Sequence, residues 1–425
     1  MSNGVNNKRV FCVQPHRPIG FGEMLGKRGD VRLDMLEQKS PDEAALQILS
    51  AAHAYQMSSA RDELAPHYHA GADLLSRTPN LLIVSTNGAG YDTVDVNACT
   101  GRGVLVVNQS GGNAEAVAEH VLGMMLCLVK RVPDSDRALR AGTIKNRNDY
   151  TGGEAYGRTV GIIGLGNVGR RVAELAGILF KMKVLAYDPY LSADVVKSRG
   201  AEKVELDELL KRSDFVSINC PLTPQSRKLI GAREFALMKP EAYFITTARG
   251  SIHDEEALER TLRDKKIAGA GLDVWEKEPP PASHPLMKYD NVMVTPHMAG
   301  VTKEARIRMG RIAAEQMLDA LDGKPVPRII NPQVWPDYAK RFEKTFGFAP
   351  APPPDEPNWH AAESAAVAYG SPVKPPPPAR PDSVLCDVIV FCVPGPPETS
   401  IVPSISIAPV AWRSSVPDKA PAPPT

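Results

Sequence analysis

Three polar segments, each closing an apolar run, carry the side chains best suited to chemistry: FITTARGS around Arg249, AGLDVWEKEP around Asp273 and Glu278, and VTPHMAG around His297. A guanidinium can grip a carboxylate, an imidazole can exchange a proton near neutral pH, and a carboxylate beside the imidazole favours its charged form. Taken singly, each has an ordinary reading: Arg249 as a surface cation, Glu278 as a solvated loop charge, His297 as a histidine satisfied after a proline. Ligands of open α/β sheets bind at the carboxyl ends of the strands, and three such segments at neighbouring ends would form an anion clamp with a general acid/base.

A second constellation lies upstream. In TVGIIGLGNVGRRVAELAGILF an apolar strand over 160–163 runs into Gly164-x-Gly166-x-x-Gly169, then into a helix with apolar residues at 168, 172, 175, 176 and 179. Gly164 suits a tight turn, Gly166 lets backbone approach a pyrophosphate, and Gly169 lets the helix pack closely on the strand. The helix N-terminus adds an anion site. The next strand, KVLAYD, ends on Asp188, 19 residues after Gly169, where a carboxylate accepts from both ribose hydroxyls and repels a 2′-phosphate. No Arg or Lys directly follows it in DPYLSAD, which favours NAD over NADP. Beside a nicotinamide, Arg249, Glu278 and His297 are what oxidation of a hydroxy acid needs: a cation for the carboxylate and a base for the hydroxyl proton.

These residues need a scaffold of strands that share one carboxyl edge. Apolar runs alternate with helical patterns in the manner of repeated β-α units, which predicts parallel sheets covered on both faces. The fold class is therefore α/β, with two Rossmann-like, doubly wound parallel-sheet domains. The first block begins at RVFCV and passes through LLIVSTNGAG and GVLVVNQSGG; the second follows the apolar helix AEAVAEHVLGMMLCLVKR and holds TVGIIGLG, KVLAYD, DFVSINC, AYFITTA, IAGAGLDV and NVMVTPH. The helical segment 302–321 is expected to pack back on the first block, making it discontinuous. The expected division is 8–115 with 302–345 as a flavodoxin-like substrate domain, 116–301 as the NAD-binding domain, and 349–425 as a disordered tail. About half of the 39 prolines fall in that tail, and such density removes backbone donors and favours extended chain.

A chain of 425 residues suffices for two cores, and a net charge of +1 supplies no field for nucleic acid or an acidic membrane. The six cysteines lack metal-ligand or paired spacing, so reduced thiols and no metal are expected. There is no apolar signal segment and no run of about 20 apolar residues, so a soluble cytoplasmic protein acting on a small molecule is expected.

The order and wording of GAGYDTVDV (88–96), NAEAVAEH (113–120), GLGNVGR, CPLTPQSRKLI (220–230), TTARGSIHDEEAL, GLDVWEKEP and TPHMAG resemble the D-2-hydroxyacid dehydrogenase family over residues 8–340. The resemblance implies that His297 is the general acid/base, that Glu278 partners it, and that Arg249 binds the substrate carboxylate. It implies that Asn167 and Val168 cover the pyrophosphate and that Asp188 holds the ribose. Cys220 with Pro221, Thr247 with Ala248, and Asp273 would line the adenine and nicotinamide sides, with Asp273 meeting the carboxamide. The amides of Ala89 and Gly90 would receive the substrate carboxylate, and the assembly would be a homodimer. The early loop AAHAYQMSS lacks the basic residues that phosphoglycerate-specific members carry there, which argues against that substrate. The proline-rich tail stands where some members have a regulatory domain, so serine feedback is not expected. His253 is expected at the surface, at a helix start. Two rivals share the fold: the formate dehydrogenase branch, against which Glu278 counts because that branch has Gln, and an NAD(H)-sensing scaffold with a protein-binding tail.

Overall fold

The computed structural model describes residues 8–15 and 18–353; the tail from 354, with Cys386 and Cys392, lies outside the described residues. Two all-parallel sheets account for the strands. The first holds β1 (Lys8–Val13), β2 (Val31–Leu36), β3 (Ala54–Ser58), β4 (Ile83–Asn87) and β5 (Leu105–Val107) in the order β2-β1-β3-β4-β5. The second holds β6 (Thr159–Ile163), β7 (Lys183–Tyr187), β8 (Glu202–Lys203), β9 (Phe215–Ile218), β10 (Tyr243–Thr246), β11 (Gly269–Leu272) and β12 (Val292–Val294). Its order, β12-β11-β10-β9-β6-β7-β8, reverses direction at β6, between its neighbours β9 and β7. Such a switch point opens a crevice at the carboxyl ends of the strands, beside the Gly164–Gly169 turn.

The helices follow their sequence signals. Asp254 accepts from Ala257 N and Thr302 Oγ1 accepts from Ala305 N, capping helices Glu255–Arg263 and Lys303–Leu321. Central strands such as β3 and β9 are buried along their whole length because helices cover both faces, their polar Gln56, Ser58 and Ser217 included. Helix Ala114–Val129 packs against helix Asn167–Phe180 and against β10 and β11. Helix Lys303–Leu321 instead returns to the first sheet, where Ala313, Ala314, Met317 and Leu321 join Val10, Cys12, Ile83 and Leu105 in one core. Ion pairs fasten the end of that helix: Asp322 Oδ1 lies 2.6 Å from Lys8 Nζ and 2.9 Å from Arg28 Nη2, and these cations hold its carboxyl well below the usual range. Among the described residues no helix is long and apolar enough to cross a membrane.

His253 overturns an expectation. Instead of lying at the surface it is fully buried against the Phe244 ring, and neither ring nitrogen has a hydrogen-bond partner. The sequence IHDEE shows the polar helix start but not that the preceding residue pairs with Ile230, on the inner side of the chain. Burial lowers its pKa from 6.5 to about 4. Between those values the unfolded chain binds a proton that the folded chain refuses. Stability is therefore undiminished by this group above pH 6.5 and falls as the pH drops toward 4, by roughly 3 kcal/mol at full development. Replacing His253 by Leu should raise the urea midpoint, and by more at pH 5 than at pH 8. Equal gains at both pH values would show that the buried imidazole does not exclude the proton.

Candidate active site

The carboxyl ends of β10, β11 and β12 deliver the three chemical segments. Arg249 follows β10, Glu278 lies in the loop after β11, and His297 follows β12. His297 Nδ1 and Glu278 Oε2 are 2.7 Å apart, and Glu278 Oε1 accepts from Trp275 N at 3.0 Å, so both carboxylate oxygens are held. With Nδ1 committed to the carboxylate, Nε2 is the nitrogen left for a substrate. Burial opposes the charged form of both groups, but the short hydrogen bond and opposite charge outweigh it. The His297 pKa is raised above its ordinary value and that of Glu278 is lowered. The imidazole is thereby kept protonated to higher pH.

His297 itself sits in the left-handed region, at φ 54°, which a residue with a Cβ adopts only when its surroundings enforce it. The enforcing group is Asp273. Its backbone oxygen accepts from His297 N at 2.7 Å, while its carboxylate accepts from Thr295 Oγ1 at 2.6 Å, Met298 N at 2.8 Å and Ala299 N at 3.0 Å. His120 Nε2 approaches the same Thr295 hydroxyl at 3.2 Å. The Asp273 side chain is fully buried, and these hydrogen bonds organise the His297 turn around it. Its position at the end of β11 was legible, but the direction of its side chain depends on amides 25 and 26 residues away.

Arg249 reaches across to the first sheet. Its Nε and Nη2 donate to Asp92 Oδ2 at 3.2 and 3.0 Å, and its Nη1 donates to Ala248 O at 2.7 Å. An ideal Cβ on Gly90 would stand 2.1 Å from Arg249 Nη2, so a larger residue there would make the guanidinium shift. The surrounding loop is fixed through its carbonyls: Asn108 Nδ2 donates to Ala89 O and Thr86 Oγ1 donates to Gly90 O, at 2.8 and 2.7 Å. Ala89 and Gly90 thus stand against the guanidinium. Asp92 lay within the motif GAGYDTVDV without being singled out. The stretch AAHAYQMSS, expected as a loop, forms a helix end and β3, and Arg61 just beyond it, also not singled out, donates from Nε to Asp92 O at 3.0 Å.

The cofactor elements gather at the switch point. Gly164 turns at φ +88° with its Cα against Cys220, and Gly169 packs so closely that a Cβ would meet Gly164 O at 2.1 Å. A Cβ on Gly166 would meet open space, which leaves the backbone approachable at the start of helix Asn167–Phe180. The first-turn amides of Asn167 and Val168 have no partner within the helix. Asn167 Nδ2 reaches Ser110 Oγ at 3.0 Å, so this edge also touches the segment after β5. Asp188 directly follows β7, its Oδ2 accepting from Leu165 N and its Oδ1 from Tyr190 N at 3.0 and 3.1 Å. Burial pushes the Cys220 thiol up to about 11, so beside Gly164 it is a neutral wall, with Pro221 exposed next to it. Thr247 is buried and Ala248 half-buried after β10. An open helix start, a carboxylate at the neighbouring strand end and a neutral wall fit a dinucleotide.

Residues 122–299 match the model of the D-isomer specific 2-hydroxyacid dehydrogenase, NAD binding domain. The chain is 41% identical over 260 residues to a D-3-phosphoglycerate dehydrogenase of Archaeoglobus fulgidus, covering 61% of this chain and 49% of that one. It is 37% identical over 333 residues to a glyoxylate reductase of Aeropyrum pernix, covering 77% and 96%. The chain belongs to the D-isomer specific 2-hydroxyacid dehydrogenase family. It spans about half the length of the phosphoglycerate dehydrogenases it matches. Among solved structures of this dehydrogenase family, the Aquifex aeolicus D-lactate dehydrogenase complexed with NAD and lactic acid superposes with a TM-score of 0.63. The two are 29% identical, with 74% of this chain and 96% of that one covered.

The electrostatics of the His297 pair make a direct forecast. In Glu278→Gln the charge is removed, burial is left less opposed, and the His297 pKa should fall. An NMR titration of the imidazole would then show a midpoint at lower pH than in the wild type. An unchanged midpoint would mean that Glu278 is not what raises it.

Proposed function

We propose that the chain is an NAD-dependent oxidoreductase that transfers a hydride between the nicotinamide and C2 of a small D-2-hydroxy acid or its 2-oxo acid, of the hydroxypyruvate, glyoxylate or glycerate kind. The observation that carries this reading is the His297–Glu278 pair on the same carboxyl edge as Arg249. The proposed division of labour is 8–115 with 302–345 for the substrate and 116–301 for the cofactor.

In the reductive direction the Arg249 guanidinium and the amides of Ala89 and Gly90 would bind the substrate carboxylate. His297 Nε2 would donate a proton to the C2 oxygen, and Glu278 would stabilise the imidazolium beforehand. Bound NADH supplies the hydride. Asn167, Val168 and the glycine turn would hold its pyrophosphate, Asp188 its ribose, and Cys220, Pro221, Thr247 and Ala248 its flanks.

Formate oxidation moves no substrate hydroxyl proton, and the acidic partner of His297 counts against it. A phosphorylated three-carbon acid is a second reading, favoured by Arg61 beside the Asp92 loop and by the match to phosphoglycerate dehydrogenases. NADH oxidation with glyoxylate, hydroxypyruvate and a panel of 2-oxo acids, and NAD reduction with 3-phosphoglycerate, separate these readings. Arg249→Lys should lose most of kcat/KM because its single ammonium lacks the planar fork. Turnover no higher than that of His297→Ala on every acid would favour the NAD(H)-sensing scaffold.

The protein is further proposed to work in the cytoplasm as a homodimer. Helix Val132–Arg140 buries none of its residues, and Val132 and Leu139 are 50% and 69% exposed, apolar surface that a second copy would cover. Sedimentation at micromolar concentration should give the dimer mass; a monomer would count against this assembly.

A further inference from the structure

The substrate fork of Arg249 is already filled from within the chain. Nη1 gives one of its two N–H donors to Ala248 O, and the side-on edge formed by Nε and Nη2 is one that a planar carboxylate can pair with. Both of those nitrogens donate to Asp92 Oδ2. Asp92 comes from the loop after β4, on the opposite sheet, and has no part in the proton or hydride transfer. The contact is built rather than incidental: Gly90 leaves room for Nη2, and Arg61 fixes the Asp92 carbonyl. It is also openable, since the two side chains are 28% and 38% exposed and solvent weakens the pair.

We propose that Asp92 is an internal stand-in for the substrate carboxylate, which enters by exchange for it and whose total charge Asp92 thereby restricts. Exchange replaces one carboxylate by another on the same guanidinium, so the Coulombic gain on binding is only a difference. A monoanionic acid meets a site in which Arg249 and protonated His297 face Asp92 and Glu278. A second negative charge on the incoming acid is repelled by the displaced Asp92, whose carbonyl already engages the neighbouring Arg61. Asp92 is thus a positioning and specificity-determining residue that acts through Arg249. This inference takes the bound acid from the function proposed above, but its test reads anion binding and not turnover.

Oxamate, a monoanion, and oxalate, a dianion, are titrated calorimetrically into the NADH-saturated wild-type, Asp92→Asn and Asp92→Ser proteins, with Arg249→Lys as the control for the fork. Unchanged NADH affinity reports that each variant is folded. Removing the Asp92 charge should tighten oxamate at least about fivefold and oxalate by a larger factor. In steady state the KM for a 2-oxo acid should fall while kcat moves less. Oxamate affinity unchanged or weakened in both variants would overturn the proposal and leave Asp92 as a support for Arg249. Equal tightening of the two anions would overturn the selection by charge. Absence of turnover with every acid, alongside the expected anion series, would instead fail the proposed reaction.

Discussion

Asp273 accepts a hydrogen bond from Thr295 Oγ1 and from the amides of Met298 and Ala299, and its own carbonyl accepts from His297 N. A carboxylate with no exposure is costly unless such donors satisfy it, and these donors all belong to the turn that carries the imidazole. The turn can form only around the carboxylate, and the carboxylate can be buried only inside the turn. That mutual dependence holds His297 in a left-handed conformation and aims Nδ1 at Glu278. Without it the 2.7 Å pair, and the raised histidine pKa that follows from it, would have no fixed geometry.

The rest of the site is assembled from distant parts of the chain. Parallel strands must run in one direction, so their carboxyl ends gather on one edge and residues more than 150 positions apart become neighbours. Arg249 on Asp92 is such a contact, 157 positions apart, and Asn167 on Ser110, 57 positions apart, also joins loops of the two sheets. The Asp273 turn is internal to the second sheet, whereas the anion fork depends on both.

Much of this was legible from periodicity and spacing. The six strands expected in the second block all form, because each is a short, predominantly apolar segment bounded by turn residues. Two of the four edge strands were harder to see. β2 reads VRLDML, with Arg32 and Asp34 interrupting its apolar pattern, and β8 is only two residues long. Edge strands have solvent along one side and need no unbroken apolar run. His253 was misjudged for the complementary reason: a polar residue type suggested exposure, while the packing around Phe244 enclosed it.

By itself the sequence determined the doubly wound architecture, the dinucleotide turn from Gly164 to Asp188, and the residence of Arg249, Glu278 and His297 at strand ends. Those features rest on local rules of apolar period, glycine placement and strand-to-turn order, each written within a few residues. Only the tertiary structure decided that Asp273 supports the His297 turn, that Arg249 is occupied by Asp92, and that Arg61 stands behind that pair. Each of these depends on which way one side chain points and on partners brought close by the fold, and the spacing of residues along a chain carries no record of either.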